Sequence, residues 1–237
     1  MSIKAVLFDL DGTLLPMDQD VFVKTYMGML AKRLAPLGYD PKDFISAMWA
    51  GTGSMVKNDG SSTNEAAFWK TFCKVLSRNA LEDTPHFERF YEEEFDNVKT
   101  VCGYSPLARK TLDVCRNKGL RVALATNPLF PRIATQKRIA WAGLSPDDFE
   151  LYTTYESETY CKPNLNYYRS ITDRLGVSPA ECLMVGNDVS DDMVADGLGM
   201  QVFLLTDCLI NKENVDISAY PNGNFDALID FIQNLNL

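Results

Sequence analysis

The sequence predicts an α/β fold: a Rossmann-like parallel sheet with a smaller all-helical domain inserted after its first strand. Three observations predict it. In the second half of the chain, short and nearly uninterrupted apolar runs alternate with helical patterns, as in a parallel sheet that helices cover on both faces. Residues from about 18 to 97 show only helical periodicity. One more apolar run, at residues 3–8, precedes that helical stretch.

The first predicted strand is the β-rich run Ile3 to Phe8, which stops at Asp9. Four stretches with apolar residues at helical spacing follow it, beginning near residues 18, 43, 64 and 86. They predict a bundle of about four helices. We therefore assign residues 16–97 to a separate helical domain, and residues 1–15 and 98–237 to the Rossmann-like core.

After Tyr104 the pattern changes to an alternation of helices and buried strands. The first helix stops at Gly119, a residue type that commonly ends helices. Helices are predicted over 106–118, 132–142, 164–175, 190–196 and 225–237, and strands over 120–126, 150–154, 182–185 and 201–205. Because the carboxyl ends of parallel strands meet at one edge of a sheet, reactive side chains should follow the strands.

The composition excludes several classes of function. A formal net charge of −9 argues against binding to nucleic acid or to an anionic membrane surface, both of which need a basic patch. No apolar stretch of about 18 residues is present that could span a bilayer, and no signal peptide is visible. The six cysteines form no Cys-x-x-Cys pair, which favours free thiols in a reducing compartment. We expect a cytoplasmic protein, and the sequence does not indicate its oligomeric state.

Several carboxylates, two asparagines, one lysine and one threonine lie in the loops that follow the predicted strands, at one edge of the sheet. Clustered carboxylates repel one another unless a cation is present, and an all-oxygen environment suits Mg²⁺. A lysine there suits a phosphoryl group, so the set favours phosphoryl transfer on a small phosphorylated metabolite. The residues are Asp9, Asp11, Thr126, Asn127, Lys162, Asn187, Asp188, Asp191 and Asp192.

These residues occur in four ordered motifs, and together the motifs resemble those of the haloacid-dehalogenase superfamily over the whole chain. The motifs are Asp9-Leu10-Asp11-Gly12-Thr13, Thr126-Asn127-Pro128, Lys162-Pro163 and Val185-Gly186-Asn187-Asp188 with Asp192. The resemblance implies a Mg²⁺-dependent phosphatase that acts on a phosphomonoester, with a helical cap between the first and second motifs.

The resemblance also implies a role for each residue. Asp9 would form an aspartyl-phosphate, and Asp11 would protonate the leaving oxygen and then activate water. Thr126 and a backbone N–H near Asn127 would bind the phosphoryl group, and Lys162 would tie that group to the nucleophile. The implied metal ligands are Asp9, Asp11 through its backbone carbonyl, and Asp188.

The fourth motif departs from the common Gly-Asp pattern, because Asn187 follows Gly186. Either Asn187 supplies a neutral oxygen ligand or Asp188 takes the metal position. We favour Asp188, since an acidic side chain binds Mg²⁺ better. Asp192 would support the metal or orient Lys162, while Asp191 is expected to stand at a helix start.

Other functions remain open. Halide removal is disfavoured because such enzymes lack an acid at the position of Asp11, and phosphonate cleavage would need a buried cap lysine. The main alternative hypothesis is a sugar phosphomutase of the same superfamily. A third hypothesis is a binding module without catalytic activity. The cap would select the substrate. Trp49 and Trp69 are expected in the core of the cap rather than in contact with a substrate.

Overall fold

The computed structural model describes residues 2–235, and within them lies one sheet of six strands in which all neighbours are parallel. The first strand lies in the middle of the sheet, and the next two strands of the chain lie on one side of it. The chain then crosses over, and its last three strands lie on the other side of the first strand. This reversal of strand order is where ligands bind in open α/β sheets. The strands are β1 (Ala5–Phe8), β2 (Arg121–Leu124), β3 (Leu151–Tyr152), β4 (Cys182–Gly186), β5 (Gln201–Leu205) and β6 (Asn222–Gly223), in the order β3-β2-β1-β4-β5-β6.

Four helices lie between β1 and β2 in the helical stretch, and four more accompany the sheet. Several begin after a side chain that accepts a backbone N–H of the first turn, as Asp18 and Thr63 do. The helices are α1 (Gln19–Leu34), α2 (Pro41–Val56), α3 (Asn64–Leu76), α4 (Thr84–Glu93), α5 (Pro106–Asn117), α6 (Arg132–Trp141), α7 (Leu165–Leu175) and α8 (Phe225–Gln233).

Both faces of the sheet are buried, which confirms the predicted α/β architecture. Along β1 the side chains alternate: Val6 and Phe8 join a core that includes α5 and α8, while Ala5 and Leu7 join a second core with α7. All four are fully buried. Because both faces of β1 are buried, its sequence is an unbroken apolar run rather than an alternation of apolar and polar residues.

The helical insertion has a core of packed aromatic rings, and this core is continuous with the core on one face of the sheet. Phe44, Phe72 and Phe87 pack with ring centroids 5.7–6.2 Å apart inside the insertion. The insertion leaves and rejoins the core at adjacent points, since the Gly103 N–H donates to the Pro16 carbonyl at 2.7 Å. This placement agrees with a helical cap, and its bounds at residues 16 and 97 stay a prediction.

Three elements differ from the sequence prediction. The predicted helix over 190–196 is instead a 3₁₀ helix at Met193–Leu198, because the preceding residues turn around the Asp188 carboxylate. The strand β6 was not predicted, since Asn222–Gly223 carries no apolar signal. The closing helix ends at Gln233, and residues 236 and 237 of that prediction lie outside the described part. No helix within residues 2–235 is long and apolar enough to cross a membrane.

One ion-pair cluster ties α5 to the loop before β3. Asp148 accepts hydrogen bonds from Arg109 and Arg116, each at 2.7 Å to its Oδ1, and from the Ser145 N–H. The hydrogen bonds from Arg109, with that of Arg116, hold the pKa of Asp148 far below its usual range, although partial burial opposes them.

Asp148→Asn is therefore expected to lower the free energy of unfolding by about 1 kcal/mol at neutral pH, since both arginines are over one third exposed. A lowered folded-state pKa gives stability that is present above the unfolded carboxyl pKa of about 3.9 and is lost as the pH falls below it. Urea unfolding of both proteins from about pH 7 to about pH 3 should show the difference shrinking. A difference that stays constant would contradict this account.

Candidate active site

The carboxyl ends of the central strands bring the first and third motifs together. Asp9 directly follows β1, where its N–H donates to the Val185 carbonyl at 2.9 Å. Lys162, in the loop before α7, reaches across with its Nζ 2.8 Å from Asp9 Oδ1 and 2.6 Å from Asp192 Oδ1. Lys162 is 2% exposed. A single buried ammonium therefore bridges two carboxylates that the sequence separates by more than 180 residues.

The charge on Lys162 is maintained by its partners. Burial alone would lower the pKa of this lysine, but the carboxylates of Asp192 and Asp9 outweigh it and hold that pKa well above its usual value. The ammonium is thus fixed next to Asp9 at neutral pH. A fixed positive charge in a dry site is the arrangement that stabilises developing negative charge.

Asp192 is held by the backbone of the fourth motif. Its Oδ2 accepts the Asp188 N–H at 3.0 Å, while its Oδ1 faces Lys162. The carboxylate sits where a Cβ on Gly186 would stand, so no larger residue fits at that position without displacing it. Of the two alternatives for Asp192, the contacts agree with orienting Lys162.

A second small network lies on the other side of Asp9. The Thr13 hydroxyl is 3.3 Å from Asp9 Oδ2 and 3.0 Å from Asn187 Oδ1, and Asn187 Nδ2 donates to the Cys208 carbonyl at 2.7 Å. Both ends of the Asn187 amide are therefore engaged. Gly12 adopts a φ of +82°, and a Cβ there would collide with the Asn187 amide, so the loop requires glycine.

Asp11 forms no hydrogen bond or ion pair with Asp9 or Lys162, but it forms an ion pair with Arg138 of α6. Burial raises the pKa of Asp11 above its ordinary value, and the attraction to Arg138 opposes this only in part. Asp11 Oδ1 is buried and has no hydrogen-bond partner among the residues that the structure describes.

Sequence reasoning missed Arg138. The residue is fully buried, and its guanidinium lies 4.3 Å from the centroid of the Phe130 ring. A signal was present: Arg138 falls four residues after Ala134 and three before Trp141, on the apolar face of the predicted helix. A charged residue on a buried helix face needs a partner of opposite charge, and Asp11 is that partner here.

The second motif supplies a backbone anchor and two polar side chains. The Thr126 carbonyl accepts hydrogen bonds from Thr153 Oγ1 at 2.6 Å and from the Tyr167 hydroxyl at 2.8 Å, and Thr126 is 2% exposed. Asn127 Nδ2 donates to Asp191 Oδ2 at 3.2 Å, while its Oδ1 is buried without a partner within residues 2–235. Asp191 thus contacts the second motif, and the prediction that it begins a helix is wrong.

A cavity of about 1330 Å³ extends from these residues along the helical insertion. Lys162, Asp188 and Asn127 line its core end, and side chains of α2 and α3 line the opposite wall. Trp69 is buried, as expected, yet it lines this cavity. Trp49 also lines it and is 54% exposed, so its predicted place in the core of the cap is wrong.

The residues here can provide an all-oxygen metal site. Asn187 Oδ1 accepts a hydrogen bond from the Thr13 hydroxyl. Asp188 Oδ1 accepts the N–H groups of Ser190 and Asp191, and Asp188 Oδ2 accepts no hydrogen bond from the residues that the structure describes. Within residues 2–235 no three His, Cys, Asp or Glu side chains converge into a metal-binding cluster. Two carboxylates completed by a backbone carbonyl and waters are, however, a donor set that Mg²⁺ accepts. The orphaned oxygen of Asp11 also fits a nearby cation.

Comparison with known proteins gives consistent matches. A family model described as a haloacid dehalogenase-like hydrolase matches residues 3–195. The glyceraldehyde 3-phosphate phosphatase of Methanocaldococcus jannaschii is 27% identical over 236 residues, 98% of each chain. The Arabidopsis thaliana protein SUPPRESSOR OF QUENCHING 1 is 24% identical over 99% of this chain, which spans only 20% of that protein. A HAD phosphatase structure from Thermococcus onnurineus superposes with a TM-score of 0.62 at 21% identity, covering 99% of this chain and 100% of that one.

Proposed function

Since the chain belongs to the haloacid dehalogenase-like hydrolases, we propose that it is a phosphatase that hydrolyses a small phosphomonoester through an aspartyl-phosphate on Asp9. The observation that carries the proposal is the buried Lys162 ammonium, which bridges Asp9 and Asp192 beside a cavity large enough for a substrate. Because it belongs to this family, the protein is an enzyme of the hydrolase class. The domain bounds, the site roles and the metal are part of the proposal.

In the first half-reaction an Asp9 carboxylate oxygen attacks phosphorus. The bond from Asp9 to phosphorus forms, the ester bond from phosphorus to the leaving oxygen breaks, and Asp11 gives its proton to that oxygen. Lys162 offsets the negative charge that accumulates on the phosphoryl group, and Thr126 and Asn127 hold its other oxygens. Because Asp11 is paired with Arg138 in the structure, its side chain would rotate toward the cavity for this step.

In the second half-reaction water attacks phosphorus, gives a proton to Asp11 and releases phosphate from Asp9. Asp9 returns to its carboxylate form and Asp11 again carries a proton, so the cycle balances. Residues 16–97, as a cap, would exclude bulk water during the first half-reaction.

Mg²⁺ is proposed as the cofactor, held by Asp9, the Asp11 backbone carbonyl and Asp188. When bound, it would neutralise charge on the phosphoryl oxygens. Asp188 is preferred over Asn187 because its side chain carries a negative charge and its Oδ2 accepts no hydrogen bond from the described residues.

Asp188→Asn is expected to raise the Mg²⁺ concentration for half-maximal activity about tenfold or more, because it removes a charged ligand. Phosphate release from p-nitrophenyl phosphate in a Mg²⁺ titration measures this, and EDTA should abolish turnover of the native enzyme. Asp196→Asn, at an exposed aspartate in the adjacent 3₁₀ helix, is the matched control. Activity that survives EDTA would contradict the metal assignment.

The alternatives give different results in the same assay. A phosphomutase would convert a hexose 1-phosphate into its 6-phosphate, whereas the proposed phosphatase releases phosphate from it. A binding module would release none from any ester. Phosphonate cleavage through a cap lysine is not supported, because Lys24, Lys32 and Lys57 are all exposed.

A further inference from the structure

The cavity beside Lys162 is much larger than the volume that a very small phosphorylated metabolite would fill. Pockets that enclose drug-sized ligands have volumes of about 300–1,000 Å³, and this one measures about 1330 Å³. A two- or three-carbon phosphoester at Asp9 would leave most of that volume to water. The cavity therefore has room for a bulky leaving group that extends from the phosphoryl position toward the helical insertion.

Aromatic side chains from both domains line that extension. Trp69 of α3, Phe130 after β2 and Tyr155 after β3 all contribute to its wall. Trp49 of α2 contributes as well, although more than half of its surface is exposed to solvent. An indole left in water beside a binding cleft is the kind of surface that contacts a flat apolar ligand.

The charge of the lining argues against an anionic leaving group. Eight carboxylates, one of them the proposed metal ligand Asp188, but only four cationic side chains line the cavity. One of the four cationic side chains is Lys162, which Asp9 and Asp192 neutralise. Among the residues described, Glu65 forms no ion pair, and the carboxylate of Glu156 that it faces accepts only the Arg132 N–H. Burial and the neighbouring Glu156 raise the pKa of Glu65. A carboxylate on the substrate would meet repulsion in this part of the cavity.

We propose that the cavity selects phosphomonoesters whose leaving group is large, aromatic and free of negative charge, and discriminates against small anionic ones such as phosphoglycolate. This inference rests on the proposed phosphatase function and names the substrate class of the same site. The aromatic wall supplies affinity for the ring, and the excess of carboxylates rejects acids.

Four esters of primary alcohols test the selectivity, because their leaving groups are of similar reactivity. They are 2-naphthylmethyl phosphate, its 6-carboxy derivative, ethyl phosphate and phosphoglycolate. With Mg²⁺, kcat/KM for the naphthylmethyl ester should exceed that for ethyl phosphate and phosphoglycolate about 100-fold, and the carboxy derivative should lose about tenfold or more.

Two variants connect the preference to the lining. Trp49→Ala should lower kcat/KM for the naphthylmethyl ester about tenfold more than it lowers kcat/KM for ethyl phosphate. Val75→Ala, also exposed but outside the cavity, is the control and should change neither value. Glu65→Gln should raise kcat/KM for the carboxy derivative at least about threefold over that of the native enzyme. Both positions are accessible enough that the variants should fold, which a melting curve verifies.

The outcomes separate the inference from its premise. Equal or better turnover of ethyl phosphate or phosphoglycolate would overturn the selectivity and leave the phosphatase function standing. A naphthyl preference that Trp49→Ala does not reduce would also overturn it. Phosphate release from p-nitrophenyl phosphate but from none of the four esters would overturn the selectivity alone. Phosphate release from none of the five compounds would overturn the phosphatase function, and the selectivity with it.

Discussion

Asp9→Asn is expected to lower kcat by about 10⁴-fold or more, because an amide oxygen cannot form the acyl-phosphate intermediate. The fold should persist, since Lys162 keeps Asp192 as a partner at 2.6 Å. Phosphate release from p-nitrophenyl phosphate, compared with a melting curve of the same preparation, measures both effects.

The control for this variant is Asp173→Asn, which makes the same chemical change at an exposed position of α7. It should retain full activity. Mg²⁺-dependent turnover of Asp9→Asn at the native rate would show that another group attacks phosphorus.

Lys162→Met is expected to affect stability and catalysis together. It leaves the buried carboxylates of Asp9 and Asp192 without their shared cation, which should cost about 3–5 kcal/mol of unfolding free energy. It should also reduce kcat about 10²- to 10³-fold through the loss of charge stabilisation. Urea unfolding and steady-state kinetics are the two measurements.

A second substitution separates the two effects. Adding Asp192→Asn removes one of the unpaired charges and should restore part of the stability, but it should not restore activity. Lys4→Met, which breaks the surface pair of Lys4 with Glu181 at 2.5 Å, is the matched control and should change little. Recovery of activity in the double variant would mean that Lys162 acts only as a structural counter-ion.

Much of the fold could be predicted because the buried strands have a distinct composition. The runs at β1, β2, β4 and β5 are apolar on both faces, and the insertion shows helical spacing throughout. β6 could not be predicted, since its two residues pair through the backbone alone. The segment after β4 turns around Asp188 rather than continuing as an α-helix, a preference that depends on the site itself.

The residues of the candidate site could be predicted from the sequence, but the contacts between their side chains could not. The motifs place Asp9 and Lys162 at one sheet edge, and the structure adds that Lys162 bridges Asp9 to Asp192. Arg138 was not predicted as a residue of the site, because a single arginine in an amphipathic helix usually faces solvent. Trp49 was misplaced because helical periodicity cannot distinguish a cavity wall from a packed core.

The central claim, that Asp9 becomes phosphorylated, can be tested by trapping the intermediate. The enzyme is mixed with p-nitrophenyl phosphate and Mg²⁺, quenched in acid during turnover, and treated with borohydride, which reduces an acyl-phosphate to an alcohol. Peptide mass spectrometry should then find homoserine in place of Asp9. An unmodified Asp9 peptide, or a phosphoryl group on a different residue during active turnover, would contradict the proposed mechanism.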